Sequence, residues 1–236
     1  MITPAAWKTS FRVSAATTGS ELSGNIAAAP DGSFYVIWFD TSGRLVGRWF
    51  AANGSALTGD INLNVGAPQN YDAVAVTSDG KPHVVSGNTS GDTYLFDYSK
   101  SLVGAGAAPI ETNSSIFSLY AEITAFPDGG LLVAYSAGDR GITTVLVPPQ
   151  GAPSSPVSLF SDTDQTTKPH LATLDNGTFV VVYQSQLAGN SANRDVFFQM
   201  RNESLTAVVA PHTPVRGGSV LLPPKDRTGP PGLIGR

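Results

Sequence analysis

The sequence predicts an all-β protein, a β-propeller of four four-stranded blades, from three observations. A short turn of Pro, Ser or Asp, then Asp or Asn, then Gly occurs four times, and each copy precedes a short apolar run. The turn glycines follow one another at intervals of 48, 49 and 48 residues, a period typical of repeat architectures. Gly, Pro, Ser, Thr and Asn separate the apolar runs, as in chains of many short strands. The four turns are Pro30–Gly32, Ser78–Gly80, Pro127–Gly129 and Asp175–Gly177.

Each repeat begins with a strand rich in small residues, which the turn connects to a strand of bulky apolar residues. The Asp/Asn-Gly turn predicts a hairpin, because both central residues tolerate positive φ. The second strand has few polar positions, which predicts that both of its faces are covered. The predicted first strands are Asn25–Ala29, Asp72–Val76, Glu122–Phe126 and His170–Leu174. The predicted second strands are Phe34–Trp38, His83–Val85, Leu131–Tyr135 and Phe179–Tyr183.

A third strand and a shorter fourth strand complete each repeat, and units of this period are typical of propeller blades. Blades are wedges around an axis, so small residues are expected in the innermost strand and large ones in the next. A sandwich or an open array with the same number of strands is the alternative. The predicted third strands are Leu45–Phe50, Thr93–Tyr98, Ile142–Val147 and Asp195–Met200. The predicted fourth strands are Ile61–Asn64, Pro109–Thr112, Val157–Phe160 and Leu205–Val209.

An extra strand is predicted at the N-terminus, formed by Phe11, Arg12, Val13 and Ser14. It precedes the first repeat by about the spacing that separates a fourth strand from the next first strand. One interpretation is that it completes a blade and closes the ring. The other is that Leu205–Val209 fills that place, which leaves Phe11–Ser14 as an edge strand for pairing with another chain.

The C-terminal part changes character at Pro211, after which prolines and glycines predict an extended arm without regular structure. The predicted organisation is therefore an N-terminal arm with the extra strand over residues 1–16, a four-bladed propeller over 17–210, and a Pro/Gly-rich tail over 211–236.

Two of the repeats resemble a known type of bacterial sequence repeat. Phe179–Ser185 after the fourth turn, and Pro127–Tyr135, look like the Asp-Gly-Gly-Phe-Val-Val-Trp repeats of large secreted bacterial or phage surface proteins, and Phe11–Trp38 is similar to one such unit. The resemblance covers about residues 11–210 and implies a propeller fold and a surface location rather than a chemistry. The chain departs from those repeats at Lys81–His83, and it lacks the sialidase-type Asp box.

Composition excludes several classes of function. Charged residues make up 14% of the chain and the net charge is −4, so no basic surface for nucleic acid is indicated. No apolar run approaches the length of a membrane span. Cysteine is absent, and the histidines lie in different repeats without ligand spacing, so we predict no metal site and no cofactor.

Four polar residues are the candidate binding site. Counting back seven residues from each turn glycine gives Asn25, Ala73, Glu122 and His170, and Asp72 lies one residue before Ala73. Asn25, Asp72, Glu122 and His170 would then start the innermost strands and surround one mouth of a propeller channel. A ligand at this mouth is one expectation, and solvated polar residues without a function are the other. Carboxylates beside a histidine could perform acid–base chemistry.

Five Asn-x-Ser/Thr sequons fall in predicted turns or loops, where a glycan would be accessible. They are Asn53, Asn88, Asn113, Asn176 and Asn202.

These observations together predict a non-enzymatic structural or adhesive protein outside the cell, on a cell surface or on a virion. It would be a homo-oligomer or filament subunit that assembles through the N-terminal strand and the tail. The alternatives are a lectin-like propeller that binds a glycan and, as a third choice, a glycosidase that uses Glu122 and Asp72.

Overall fold

The chain forms an all-β structure in a computed structural model that describes residues 10–16, 19–63, 69–88, 93–98, 104–111, 118–137, 141–161, 166–186 and 194–205. Over these residues every regular element is a β-strand. The described part therefore contains no helix long and apolar enough to cross a membrane.

The described residues form fifteen strands in four antiparallel sheets, and within each sheet the strands follow one another in the order of the chain or its reverse. The first sheet contains β1 (Leu22–Ala28), β2 (Phe34–Phe39), β3 (Leu45–Phe50) and β4 (Ile61–Asn62). The second contains β5 (Gln69–Val76), β6 (Pro82–Asn88), β7 (Thr93–Tyr98) and β8 (Gly104–Glu111). The third contains β9 (Ser118–Ala125), β10 (Leu131–Ala137), β11 (Gly141–Val147) and β12 (Val157–Ser161). The fourth contains β13 (Thr166–Thr173), β14 (Thr178–Gln186) and β15 (Arg194–Asn202).

The repeated turn has the same structure in all four sheets. In the first copy the amide of Gly32 donates to the Ala29 carbonyl at 3.0 Å, and the Asp31 side chain accepts from the Ser33 amide at 2.9 Å. The Asp or Asn of the other three turns bonds the equivalent amide in the same way. Only the glycine has positive φ, +81° in this copy. The predicted hairpin is therefore formed at each turn, and the side-chain bond stabilises a turn in which the left-handed conformation is left to Gly.

The sheets pack face to face in chain order, and the core lies between them. Tyr35 and Ile37 of the first sheet pack against Val74 and Val84 of the second. Alternate residues of β5 face the other way, so that Ala73 joins the third sheet. Val181 and Tyr183 of the fourth sheet pack against Ala134 and Ile142 of the third. Full burial of each large apolar side chain contributes about 1.5–3 kcal/mol.

The first strand of every sheet lies on the inside of the arrangement. Strand β1 contacts β5, β5 contacts β9, and β9 contacts β13. Among the described strands, β13 and β1 do not pack against each other in the way that these three pairs do. The described sheets therefore form an arc around their first strands.

The outer face of the fourth sheet carries apolar side chains that stay exposed. Val182 pairs with Phe198, and both alternate with Val181 and Phe197, which pack toward the third sheet, so Val182 and Phe198 lie on the face turned away from it. Phe198 is 45% exposed, and Val196 on the same face is 64% exposed. Within the described residues, the facing surfaces of the first, second and third sheets are buried against one another and leave no comparable exposed apolar face between them.

The N-terminal segment covers part of the outer face of the first sheet. Phe11 lies against Phe50, with ring centroids 5.7 Å apart, and Arg48 donates to the Val13 carbonyl at 2.9 Å. Residues 10–16 have no strand conformation, so the predicted strand of Phe11, Arg12, Val13 and Ser14 is not formed. Contacts made by the side chains of Phe11 and Arg48, rather than a ladder of main-chain hydrogen bonds, hold this segment against the first sheet. The buried cluster on this face is Val36, Trp38, Val46 and Phe50.

Several sequence predictions fall outside the described residues. Leu205 is the last described residue, so the rest of the predicted strand Leu205–Val209 and the whole tail 211–236 lie beyond them. The same holds for the sequon at Asn113. Asn53 and Asn176 are exposed in turns, Asn88 and Asn202 end strands, and glycosylation at these sites stays a prediction.

Candidate functional site

A cavity of about 300 Å³ lies where the first strands of all four sheets come together. Every sheet contributes residues to its wall, so one space is shared by the four repeats. Phe39, at the end of β2, adds an aromatic side chain. The polar and aromatic lining from the first strands is Ser23, Asn25, Asp72, Tyr120, Glu122, Lys168 and His170.

The pairing between first and second strand is interrupted in all four sheets, at the equivalent position in the first, third and fourth and further from the turn in the second. In the first sheet the register shifts between Leu22 and Asn25, and in the fourth between Thr167 and His170. The other two shifts occur near the start of β5 and of β9. These are β-bulges, which bend a strand and re-aim its side chains, and bulges are common beside functional sites.

Three of the bulges hold a residue other than glycine in the left-handed conformation. Ser23, Tyr120 and Lys168 have φ of 51°, 56° and 57°. Each lies two positions before one of the predicted mouth residues, and each lines the cavity. A non-glycine residue in this conformation costs about 1 to 3 kcal/mol, so the surrounding sheets must hold it there.

Asp72 is the most buried polar residue of the cavity wall, at 9% exposure. The hydroxyl of Ser86, its partner across the β5–β6 hairpin, donates to Oδ1 of Asp72. The other carboxyl oxygen, Oδ2, is buried without a hydrogen-bond partner among the described residues. Burial raises the pKa of Asp72 to about 7, against the opposing effect of the Ser86 hydrogen bond. This carboxyl group can therefore hold or release a proton at neutral pH.

Glu122 forms a pair with His170 across the junction of the third and fourth sheets. Nδ1 of His170 lies 3.0 Å from Oε1 of Glu122. Burial raises the pKa of Glu122, and the nearby His170 partly opposes that shift. The two cavity carboxyl groups thus have different surroundings, one beside a hydroxyl and the other beside an imidazole.

Asn25 has a different role from the two carboxyl groups. Its side-chain amide donates to the main-chain carbonyl of Asp72 at 2.6 Å, which links β1 to β5 at the cavity wall. This bond fixes the strand that carries Asp72.

The structure thus places all four predicted mouth residues around one cavity, whereas ligand binding there stays a prediction. Sequence reasoning missed Tyr120, Lys168 and Ser86. The register of the hairpin around Gly80 could have paired Ser86 with Asp72. No pattern indicated Tyr120 or Lys168, because strict strand alternation cannot anticipate a bulge.

Within the described ranges, no group of three or more His, Asp or Glu side chains is arranged to hold a metal ion. That the protein uses neither a metal nor a cofactor stays a prediction.

The arc of sheets around shared first strands defines the class of the protein as a β-propeller, and comparisons with solved structures agree. A protein of unknown function from Dyadobacter fermentans superposes with a TM-score of 0.63 at 11% identity, covering 83% of this chain and 65% of that one. The α-L-arabinanase of Penicillium chrysogenum, in complex with arabinobiose, gives 0.57 at 13% identity, with 77% and 62% covered. The α-L-arabinofuranosidase of Podospora anserina, in complex with cellotriose, gives 0.51 at 12% identity, with 83% and 68% covered.

The chain spans just under two thirds of the length of the first two of these structures. No protein-family model matches the sequence, and no curated protein matches it. At such low identities the likeness shows the fold alone. The comparisons therefore support the propeller fold that the resemblance to bacterial surface repeats implied, but they do not show the particular repeat motif.

The prediction of a non-enzymatic structural or adhesive filament protein is wrong in the light of these comparisons. The neighbouring structures are mostly arabinanases, arabinofuranosidases and other glycosidases, which are carbohydrate-active enzymes. The assembly function was inferred from a surplus edge strand, and residues 10–16 do not form that strand.

Proposed function

We propose that this propeller is a carbohydrate-active enzyme that binds an oligosaccharide in the central cavity and hydrolyses a glycosidic bond there. The observation that carries the proposal is the pair of carboxyl groups on one cavity wall. Asp72 has a pKa of about 7, and Glu122 lies beside His170. The folds of the neighbouring glycosidases support the proposal as an analogy of fold only.

Glycoside hydrolysis needs two carboxyl groups with different protonation states. One donates a proton to the leaving oxygen, and the other acts as a base or a nucleophile. Asp72 suits the acid role because burial keeps it protonated up to about neutral pH. Glu122 suits the second role, since His170 at 3.0 Å opposes the effect of burial on the pKa of Glu122, whereas Asp72 has no such neighbour among the described residues.

The test is hydrolysis of a panel of arabino-, xylo- and galacto-oligosaccharides by the full chain and by three variants. We expect Asp72→Asn and Glu122→Gln each to lower kcat/KM by at least about 100-fold, the usual contribution of a placed acid or base. Asp175→Asn is the matched control, because Asp175 is an exposed carboxylate at the far end of the fourth sheet. It should retain full activity.

Two results would contradict the proposal. Full activity in both Asp72→Asn and Glu122→Gln would remove the two residues from the chemistry. Binding of the oligosaccharides with no turnover of any of them would leave a lectin-like propeller. The anomer of the first product, read by NMR, would further separate inversion from retention.

Four blades are also our proposal for the architecture. It is supported by the four repeats, each with the same turn and with a bulge in its first strand, and by first strands that line one cavity. An experimental structure tests it. Additional strands between the fourth and first sheets would raise the number of blades, and direct packing of β13 on β1 would close the ring at four.

A further inference from the structure

Lys168 supplies a positive charge to the cavity wall that no described carboxylate neutralises. Its ammonium lies 5.3 Å from the centre of the Tyr120 ring, and it forms no ion pair with any described residue. Lys168 and Tyr120 come from neighbouring strands, β13 and β9, and both line the cavity. An aromatic ring attracts an ammonium group while leaving its charge available to an anion.

The backbone holds this lysine in a fixed place. Lys168 occupies the left-handed bulge position, and its amide donates to Oγ of Ser136 at 3.2 Å. Ser136 is 1% exposed in β10, so the bond anchors the bulge to a buried strand. Pro169 follows directly, and its ring fixes its own φ. Tyr120 sits at the equivalent bulge of the third sheet, with φ of 56°.

The charges around the cavity favour an anion beside Lys168. The Glu122 carboxyl is matched by His170, which lies 3.0 Å away on the next sheet. Asp72 is buried on the second sheet and bonded to Ser86. Neither carboxyl group bonds to the ammonium of Lys168, so an incoming anionic group would meet a cation that has no counter-ion in the described part of the chain.

We propose that Lys168, positioned by Tyr120, forms a subsite for the anionic group of an acidic sugar residue. The substrate class is then an oligosaccharide that carries carboxylate or sulfate groups. The inference rests on the proposed function for the role of the cavity, and it adds a preference that the two carboxyl groups alone do not provide.

The test measures binding by calorimetry in the Asp72→Asn background, which prevents turnover. The probes are an oligogalacturonide, a sulfated galacto-oligosaccharide and a neutral galacto-oligosaccharide of equal length. We expect both anionic probes, or one of them, to bind at least about fivefold more tightly than the neutral probe, as for a partly exposed ion pair. The preference should fall at high salt because exposed charges are screened.

Two variants test whether Lys168 is the source of the preference for anionic over neutral probes. Lys168→Met keeps the length of the side chain and should abolish the difference between anionic and neutral probes, with neutral binding unchanged within about twofold. Lys168→Arg keeps the charge and should retain most of the preference. Thermal unfolding of each variant checks that the fold is intact.

The outcomes separate this inference from the proposed function. Equal binding of all three probes, a preference that survives Lys168→Met, or no binding of any probe would overturn the inference. Hydrolysis of neutral oligosaccharides by the unmodified chain, with no preference for anions, would uphold the proposed function alone. Selective binding of an anionic probe without hydrolysis of any sugar would uphold the subsite and overturn the enzyme. Whichever anionic probe loses affinity in Lys168→Met identifies carboxylate or sulfate as the recognised group.

Discussion

Asp72 is the residue whose chemistry depends most on its surroundings. An exposed aspartate is charged at neutral pH, whereas this one is buried beside a hydroxyl and has a pKa of about 7. The folded state therefore holds a proton more tightly than the unfolded state, whose aspartate has a pKa near 3.8. This difference links stability to pH.

The first prediction concerns that linkage. Because the folded pKa is raised, the contribution of Asp72 is greatest below pH 4 and is lost as pH rises through about 7. Asp72→Asn should remove this loss, which amounts at most to about 4 kcal/mol. Urea unfolding of both proteins between pH 4 and 8 measures it. Parallel pH profiles for the two proteins would contradict the raised pKa.

The second prediction concerns Gly47, which faces the hydroxyl of Tyr35. A Cβ at Gly47 would overlap that hydroxyl, and Tyr35 is fully buried. Gly47→Ala should therefore destabilise the protein by about 1–3 kcal/mol, the usual cost of overpacking. Gly59→Ala is the control, because nothing lies within 4 Å of the added methyl group. Similar chemical-denaturation midpoints for the two variants would show that the Tyr35 side chain moves aside freely.

The sequence was sufficient to predict which polar residues lie at the centre, but not their hydrogen-bond partners or protonation states. A constant distance from the turn glycine grouped Asn25, Glu122 and His170 at one end of the sheets, and Asp72 was added because it lies one residue before the equivalent position, Ala73. Their individual states depend on neighbours distant in the chain, such as Ser86 for Asp72. A count along one strand contains no information about such partners.

At the scale of the strand, the bulge is the feature that shapes the cavity. It occurs once in every first strand and separates the edge residues from the regular part of the hairpin. The strands themselves could be predicted closely, because the turns fix where each hairpin begins. Strands β3 and β7 coincide with the predicted Leu45–Phe50 and Thr93–Tyr98. The bulges could not be predicted from the sequence, since they depend on contacts between sheets.

The third prediction tests the backbone strain at a bulge. Ser23 is exposed and has φ of 51°, so a substitution there acts through the backbone rather than through packing. Ser23→Val should lower stability by about 1–3 kcal/mol, because β-branched residues are outliers at positive φ. Ser23→Gly should cause no loss, since glycine adopts this conformation readily. Equal stability of the two variants in urea would mean that the bulge relaxes.

At the scale of the whole molecule, the arc has two different ends. The outer face of the first sheet is partly covered by Phe11 and Val13, whereas on the outer face of the fourth sheet Val196 and Phe198 are 64% and 45% exposed. Exposed apolar patches of this kind often mark interaction surfaces. The repeats predicted four similar sheets correctly, and the two ends differ because, among the described residues, only the first has an N-terminal segment against it.

The fourth prediction compares two adjacent phenylalanines on opposite faces of β15. Phe197 stacks on Tyr183 with ring centroids 5.6 Å apart, and Phe198, on the opposite face, is 45% exposed. Phe197→Ser should destabilise the protein by about 2–4 kcal/mol, and Phe198→Ser by less than about 0.5 kcal/mol. Phe198→Ser should also reduce binding of the dye ANS. Unchanged dye fluorescence, or equal destabilisation by both variants, would show that the fourth sheet is covered.

The matched bulges have a consequence for engineering. The bulges of the first, third and fourth sheets place side chains at one level around the cavity. The backbone therefore determines the position of each group, and the residue type determines its chemistry. Exchanging Ser23, Tyr120 and Lys168 among themselves would keep the overall composition while rotating the arrangement of hydroxyl, ring and ammonium around the centre. A small shuffled library at these three positions could therefore retune recognition without redesigning the scaffold.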